Sequence, residues 1–228
     1  MNEYVFVTAF ATLVGAFFGA ASAYVFNDTL EKRKTLKQNV ANANRTLVSV
    51  IQMNQTLTFI DDFFVNKYRM DQLYWLNMPT QKLFSEKQVS LNLEGLIFFI
   101  EFNEPKTIMM LAHLESSFLQ LMAVYQKRLE LFDEHIKPVK WKIVRDINSH
   151  KIESNDFTGR NEVSIHMDEY VDSHIMKEYI NLTDSLIFLN DIARTDYRNA
   201  IDDVTQRLKI CFPKQKFIYS AADEKQYY

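Results

Sequence analysis

Residues 4–26 read YVFVTAFATLVGAFFGAASAYVF, 23 positions without a charged side chain, and residues 36–57 read LKQNVANANRTLVSVIQMNQTL, with apolar side chains three and four positions apart. Wound as a helix at about 1.5 Å per residue, the first stretch is roughly 34 Å long, enough to cross a hydrocarbon core of about 30 Å. A membrane-spanning segment is therefore expected within residues 1–27, with Tyr4 and Tyr24 near the two interfaces and Phe6, Phe10, Leu13 and Phe17 toward acyl chains. Ala21-Ser22-Ala23 also fits the cleavage site of a secretory signal, which is the competing reading. A signal peptide, however, wants Lys or Arg ahead of a much shorter apolar stretch, and only Met1, Asn2 and Glu3 stand ahead of this one. Lys32, Arg33, Lys34 and Lys37 follow the span, so the positive-inside tendency places the N-terminus outside and the bulk in the cytosol. A single cysteine, Cys211, fits a reducing compartment and excludes an internal disulfide framework.

Beyond the span the chain reads as all-α. Pro79, Pro105, Pro138 and Pro213 punctuate long stretches holding only Gly95 and Gly159, and so few turn residues suit helices far better than strands. Leu36, Val40, Ala43, Leu47, Val50, Asn54 and Leu57 alternate spacings of four and three, an a/d seam with Asn54 at an a position. This predicts a long juxtamembrane helix over residues 28–68 that either zips copies together or packs its stripe on its own domain; the pattern weakens at Asp61, where the next a position carries a charge. A helical cytosolic domain is expected over 69–213 and a mobile polar tail over 214–228.

Within that domain Ser85 and Gln88 form a capping box for a helix toward Phe102, although the alternation of Val89, Leu91 and Leu93 also permits a short strand. Asn103 ahead of Pro105 starts a helix with an apolar stripe from Ile108 to Phe132. Trp141 to Ile147 reads as a short strand or helix. Thr158 or Asn161 opens a last helical stretch, broken near Asn190 to Asp196 and ended by Cys211-Phe212-Pro213.

The formal charge of -3 excludes a globally basic nucleic-acid binder while leaving room for basic patches. His113, His135, His150, His166 and His174 include no pair at helical ligand spacing, and no P-loop, G-x-G-x-x-G, G-x-S-x-G or C-x-x-C motif is present. No enzyme, metal or cofactor is expected. Inside the span, Ala11, Gly15, Gly19 and Ala23 recur every four residues beside Thr8, Thr12 and Ser22, a side on which helices approach closely in lipid. If copies bundle there, the hydroxyls line a narrow pore; the same residues also pack a closed bundle or a lone anchor. Lys32, Arg33, Lys34 and Lys37 suit anionic lipid headgroups. Lys137, Lys140, Lys142 and Arg145 around Trp141 are candidates for the phosphates and base of a nucleotide or oligonucleotide, although such a run is more commonly a solvated surface.

A short external N-terminus, a Gly-containing span over Tyr4 to Phe26, a basic stop at Lys32 to Lys37 and a helical body resemble the small membrane effectors of bacterial anti-phage operons, of which the Hailong-type effector is one. The resemblance implies a bacterial inner-membrane protein whose cytosolic domain oligomerises and senses a nucleotide or oligonucleotide signal, and whose spans then open a lethal channel. The leading expectation is a homo-oligomeric single-span protein forming a gated ion channel. The alternative is a membrane-tethered scaffold or regulator that binds a cytosolic protein partner.

Overall fold

The computed structural model describes residues 2–71, 73–80, 89–148 and 170–217, and every regular element among them is helical. The chain runs as α1 (Asn2–Ile60), a π-helical segment (Asp61–Val65), a last turn at Asn66–Tyr68, α2 (Tyr74–Asn77), a 3-10 turn (Glu94–Leu96), α3 (Phe98–Glu101), α4 (Pro105–Leu131), a second π segment (Phe132–Ile136), α5 (Lys140–Asn148) and α6 (Ser173–Cys211).

The second half of α1 packs with α4 and α6 through the same alternation of threes and fours. Its inner face is Ala43, Leu47, Val50, Met53, Leu57 and Ile60, all at most 1% exposed. On α4 the buried positions include Leu111, Leu114, Phe118, Leu121, Tyr125 and Arg128; on α6 they run Met176, Tyr179, Thr183, Leu186, Asn190, Ala193 and Tyr197. Cross-links give the directions. The Tyr197 hydroxyl donates to the Leu114 carbonyl at 2.6 Å and Arg128 Nε to Thr183 Oγ1 at 2.8 Å, so α4 and α6 are antiparallel. Asp61 meets Asn190 and Arg194, and Met53 meets Tyr197, so α1 and α6 are antiparallel too. A second, smaller core gathers Trp75, Leu76, Phe132, Ile136, Ile143, Met176 and Tyr179 at the far end of the bundle.

These contacts correct several expectations. The seam of Ala43, Leu47, Val50 and Leu57 is buried inside its own chain, so in this fold it cannot also zip copies together. Each such side chain gains about 1.5–3 kcal/mol from burial, and that gain needs only apolar neighbours, which the chain itself supplies. Leu36, Val40 and Asn54, the remaining seam positions, are only partly covered or exposed. No strand forms at Val89, Leu91 and Leu93; the chain is irregular there before the 3-10 turn. Gly95 allows that turn to approach α1, since a Cβ on it would lie 2.9 Å from Asn42 Nδ2, which itself donates to the Gly95 carbonyl at 3.1 Å. Asn103 does not cap α4; it turns the chain with φ 59°, a left-handed conformation Asn tolerates, and Glu104 is the N-cap with Pro105 in the first turn.

The region of Trp141 is helical, as α5. The last helix is unbroken from Ser173 to Cys211, capped by the Asp172 carboxylate accepting from the His174 amide at 2.8 Å. No break occurs near Asn190 because that polar residue is fully buried and turned to Asp61 rather than to solvent. Ser85, Gln88, Thr158 and Asn161 lie outside the described residues, as does the tail beyond Phe217.

Two buried tyrosines make stability sensitive to alkali. Burial pushes the Tyr179 phenol up from 10.0 to about 12 against the pull of Arg128, and burial, then Glu115, raises Tyr197 above its ordinary value. Below about pH 10 both keep their protons folded or unfolded, and their contribution is fully present. Above it the unfolded chain releases protons that the folded chain retains, so stability falls by up to ~1.4 kcal/mol per pH unit per group until the folded phenols ionise. Denaturant unfolding across a pH series is expected to show a plateau below about pH 10 and a steep loss toward about pH 12, shallower in Tyr179→Phe. Equal stability at both ends of that window would overturn this account.

Candidate functional site

The first half of α1 stands clear of the body. Phe10, Leu13, Phe17, Phe18, Val25 and Phe26 are each more than 60% exposed, although no charge interrupts the stretch. Such an apolar surface is far from what water tolerates on a folded chain. Two helical stretches, Phe10–Tyr68 and Pro105–Ile136, are long and apolar enough to cross a membrane, and they differ in what covers them. The apolar stripe of the second is the Leu111 to Leu129 face already packed in the bundle, whereas nothing covers the apolar window of the first.

Along the uncovered half, Thr8, Ala11, Thr12, Gly15, Gly19, Ser22 and Ala23 are all exposed. A Cβ added to Gly15 or Gly19 would meet nothing within 4 Å, so neither glycine is required by any contact inside the chain. The Thr12 hydroxyl donates to the Thr8 carbonyl one turn back at 2.8 Å, which lets it sit in an apolar medium and leaves only its lone pairs for a neighbour. Past Phe26, Lys32 pairs with Asp28 at 2.7 Å on the surface, and Arg33, Lys34 and Lys37 are exposed around the same helix.

The basic and aromatic group of α5 does not share one face. Lys140 is drawn inward, its Nζ donating to the Leu76 carbonyl at 2.9 Å, and burial followed by the charge of Arg128 lowers its pKa. Lys137 pairs with Asp133 at 3.0 Å, Lys142 lies 4.7 Å from the Tyr170 ring centroid, and Arg145 stacks on Trp141 at 5.0 Å while reaching Asp146 at 3.3 Å. Trp141, Lys137 and Arg145 are the exposed members of this group. As a joint phosphate cradle the set is corrected: its charges are directed at separate partners in the chain.

Of the polar residues that matter most to the body, Asp61 marks itself in the sequence as a charge on the seam, whereas Arg128, Thr183 and Asn190 emerge only when the same period is extended along their own helices. Continuing the alternation of threes and fours from Leu121 and Tyr125 lands on Arg128, from Tyr179 on Thr183, from Leu186 on Asn190, and from Leu57 on Asp61. A polar side chain at a seam position must be buried, hence paired. Arg128 is 1% exposed and donates to Thr183 Oγ1 and to the carbonyls of Trp75, Met78 and Pro79. Asp61, also 1% exposed, receives Arg194, Asn190 and Asn66. These groups are already hydrogen-bonded within the chain, so they stabilise the body rather than form an open reaction site. Among the described residues no cluster of His, Cys, Asp and Glu has metal-binding geometry. No protein-family model, curated protein or solved structure matches the chain, so its site is read from its own chemistry.

Proposed function

We propose that the chain is a single-span membrane protein in which α1 crosses the bilayer with its N-terminus outside, the helical body lies on the cytosolic side, and copies associate along the small-residue side of the span to form a gated pore. The carrying observation is that one continuous helix, Asn2–Ile60, is bare over its first half and locked into the core over its second. A tilt or rotation of the body is then transmitted to the span without an intervening joint. With the heptad seam occupied internally, the side holding Gly15 and Gly19 is the surface left for self-association, and in lipid such a surface works through close backbone contact. On this reading the layout, which resembles that of Hailong-type anti-phage effectors, makes the body a sensor and the span an effector.

The test is ion leakage from liposomes together with subunit counting in the same vesicles. Gly15→Leu and Gly19→Leu are expected to weaken association roughly tenfold, about 1.4 kcal/mol, and to bring leakage toward background. Indistinguishable currents would remove the pore. Full activity after replacing the span with an unrelated apolar helix would instead favour a tethered scaffold for a cytosolic partner.

A further inference from the structure

We propose that the end of the bundle nearest the bare half of α1 is a lipid-contacting rim, with Phe102 and Ile100 turned to the headgroup layer of an anionic bilayer and Ile97 higher on the same side; this rests on the reading of α1 as a span. Ile97, Ile100 and Phe102 are 56%, 58% and 46% exposed, although Phe98 and Phe99 between them are buried. Ile97 and Ile100 stand three apart and so share the outer side of this short helical turn. The body therefore presents apolar side chains outward at one particular end.

Its height above the bilayer follows from α1. Phe102 and Phe212 line one groove together with Asp28, Lys32 and Leu36, and their rings lie 5.3 Å apart. Lys32 and Leu36 are roughly 9 and 15 Å along the helix from Phe26, where the apolar run ends. The headgroup layer occupies roughly 5–8 Å of each leaflet's edge, so a short aromatic reach from this level suffices to enter it. Gly95 meets Asn42, roughly 24 Å from Phe26, so residues 95–102 descend along α1 toward the membrane.

Charge selects the occupant. Lys106 at the start of α4, Lys209 at the end of α6, and Lys214 and Lys216 just beyond it are exposed at this same end, near the collar on α1. Asp28, Glu31, Glu94, Glu101, Glu104 and Asp203 are the nearby carboxylates; Asp28 is paired with Lys32, and Glu104 and Asp203 with Arg207. The cations outnumber them, so two such rims repel each other while anionic headgroups attract both. Apolar residues inside a basic border are the pattern of an interfacial surface.

Full-length protein carrying Cys211→Ser, with a nitroxide attached through Leu13→Cys, Ile100→Cys or Phe188→Cys, is reconstituted into phosphatidylcholine vesicles with and without phosphatidylglycerol. Collision with oxygen and with a water-soluble nickel chelate reports depth. The Leu13 label is expected deep in hydrocarbon, the Ile100 label several-fold less accessible to nickel than the Phe188 label, and more so with phosphatidylglycerol. A deep Leu13 label with Ile100 as wet as Phe188 overturns the rim and leaves the span standing. A wet Leu13 label overturns both. Spin-spin broadening at Ile100 without lipid protection shows a second copy on this surface, which also overturns the rim.

Discussion

Arg128→Met is expected to lower the unfolding free energy of the full-length protein by about 3 kcal/mol. Arg128 is a buried cation that no carboxylate pairs with among the described residues; instead it gathers carbonyls at the end of α2, those of Trp75 at 3.3 Å, Met78 at 3.2 Å and Pro79 at 3.4 Å. A helix end leaves carbonyls without intrahelical donors and carries partial negative charge, so the guanidinium acts as a cap delivered from another helix. Its plane also lies 5.0 Å from the Tyr179 ring centroid, and burial pulls its pKa down from the usual guanidinium value.

Methionine keeps the apolar stem and removes the desolvation cost of the charge, which offsets part of the loss. It provides no donor, however, and each carbonyl left unpaired costs about 1–3 kcal/mol. Lysine at this position is expected to recover only part, because one ammonium group cannot reproduce the planar fork. Urea unfolding in detergent, followed through the buried Trp75, measures the effect; a change within about 0.5 kcal/mol of wild type would refute the capping role.

Asp61→Ala is expected to cost about 3 kcal/mol as well, at the other polar node. The carboxylate accepts from Asn66 Nδ2 at 2.8 Å and Asn190 Nδ2 at 3.4 Å, and it pairs with Arg194. Arg194 is 34% exposed and can turn to water once abandoned. Asn190 cannot: it is 0% exposed, and its Oδ1 already has no hydrogen-bond partner among the described residues. Alanine therefore strands a whole amide in the core, whereas Asp61→Asn keeps an acceptor and is expected to lose less. The π segment Asp61–Val65 depends on the same contacts, so backbone amides of 63–68 should exchange faster in the alanine variant. Unchanged exchange together with unchanged stability would show the node to be dispensable.

Both nodes show what the pattern of residues reveals and what it conceals. Asp61 stood out in the sequence as a charge at a seam position, and Arg128 occupies the equivalent place on its own helix. That each must find partners inside the fold follows from the cost of burying a charge. Which partners they find depends on helices remote in sequence: Asn190 and Arg194 lie more than a hundred positions from Asp61, and no local rule connects them. The same separation explains the expected break near Asn190, because an isolated polar stretch reads as exposed until its partner is known.

The group around Trp141 illustrates the converse. Lys140, Trp141, Lys142 and Arg145 are adjacent in sequence and look like one basic surface. On α5 Trp141 and Arg145 share a face, but Lys140 is recruited to the Leu76 carbonyl and Lys142 to the Tyr170 ring. Proximity along a helix is not proximity on a face.

Long helices, a bare apolar leading segment and the positions that must be buried were determined by the amino-acid sequence alone, since each depends on periodicity, charge and turn residues over a few helical turns. The tertiary structure alone decided that Leu47, Val50 and Leu57 meet α4 and α6 of their own chain rather than another copy, and that Phe102 comes to rest beside Lys32. The reason is that hydrophobic burial is nearly indifferent to the identity of the apolar neighbour. A stripe therefore announces that it will be covered, and the three-dimensional packing of remote segments settles by what.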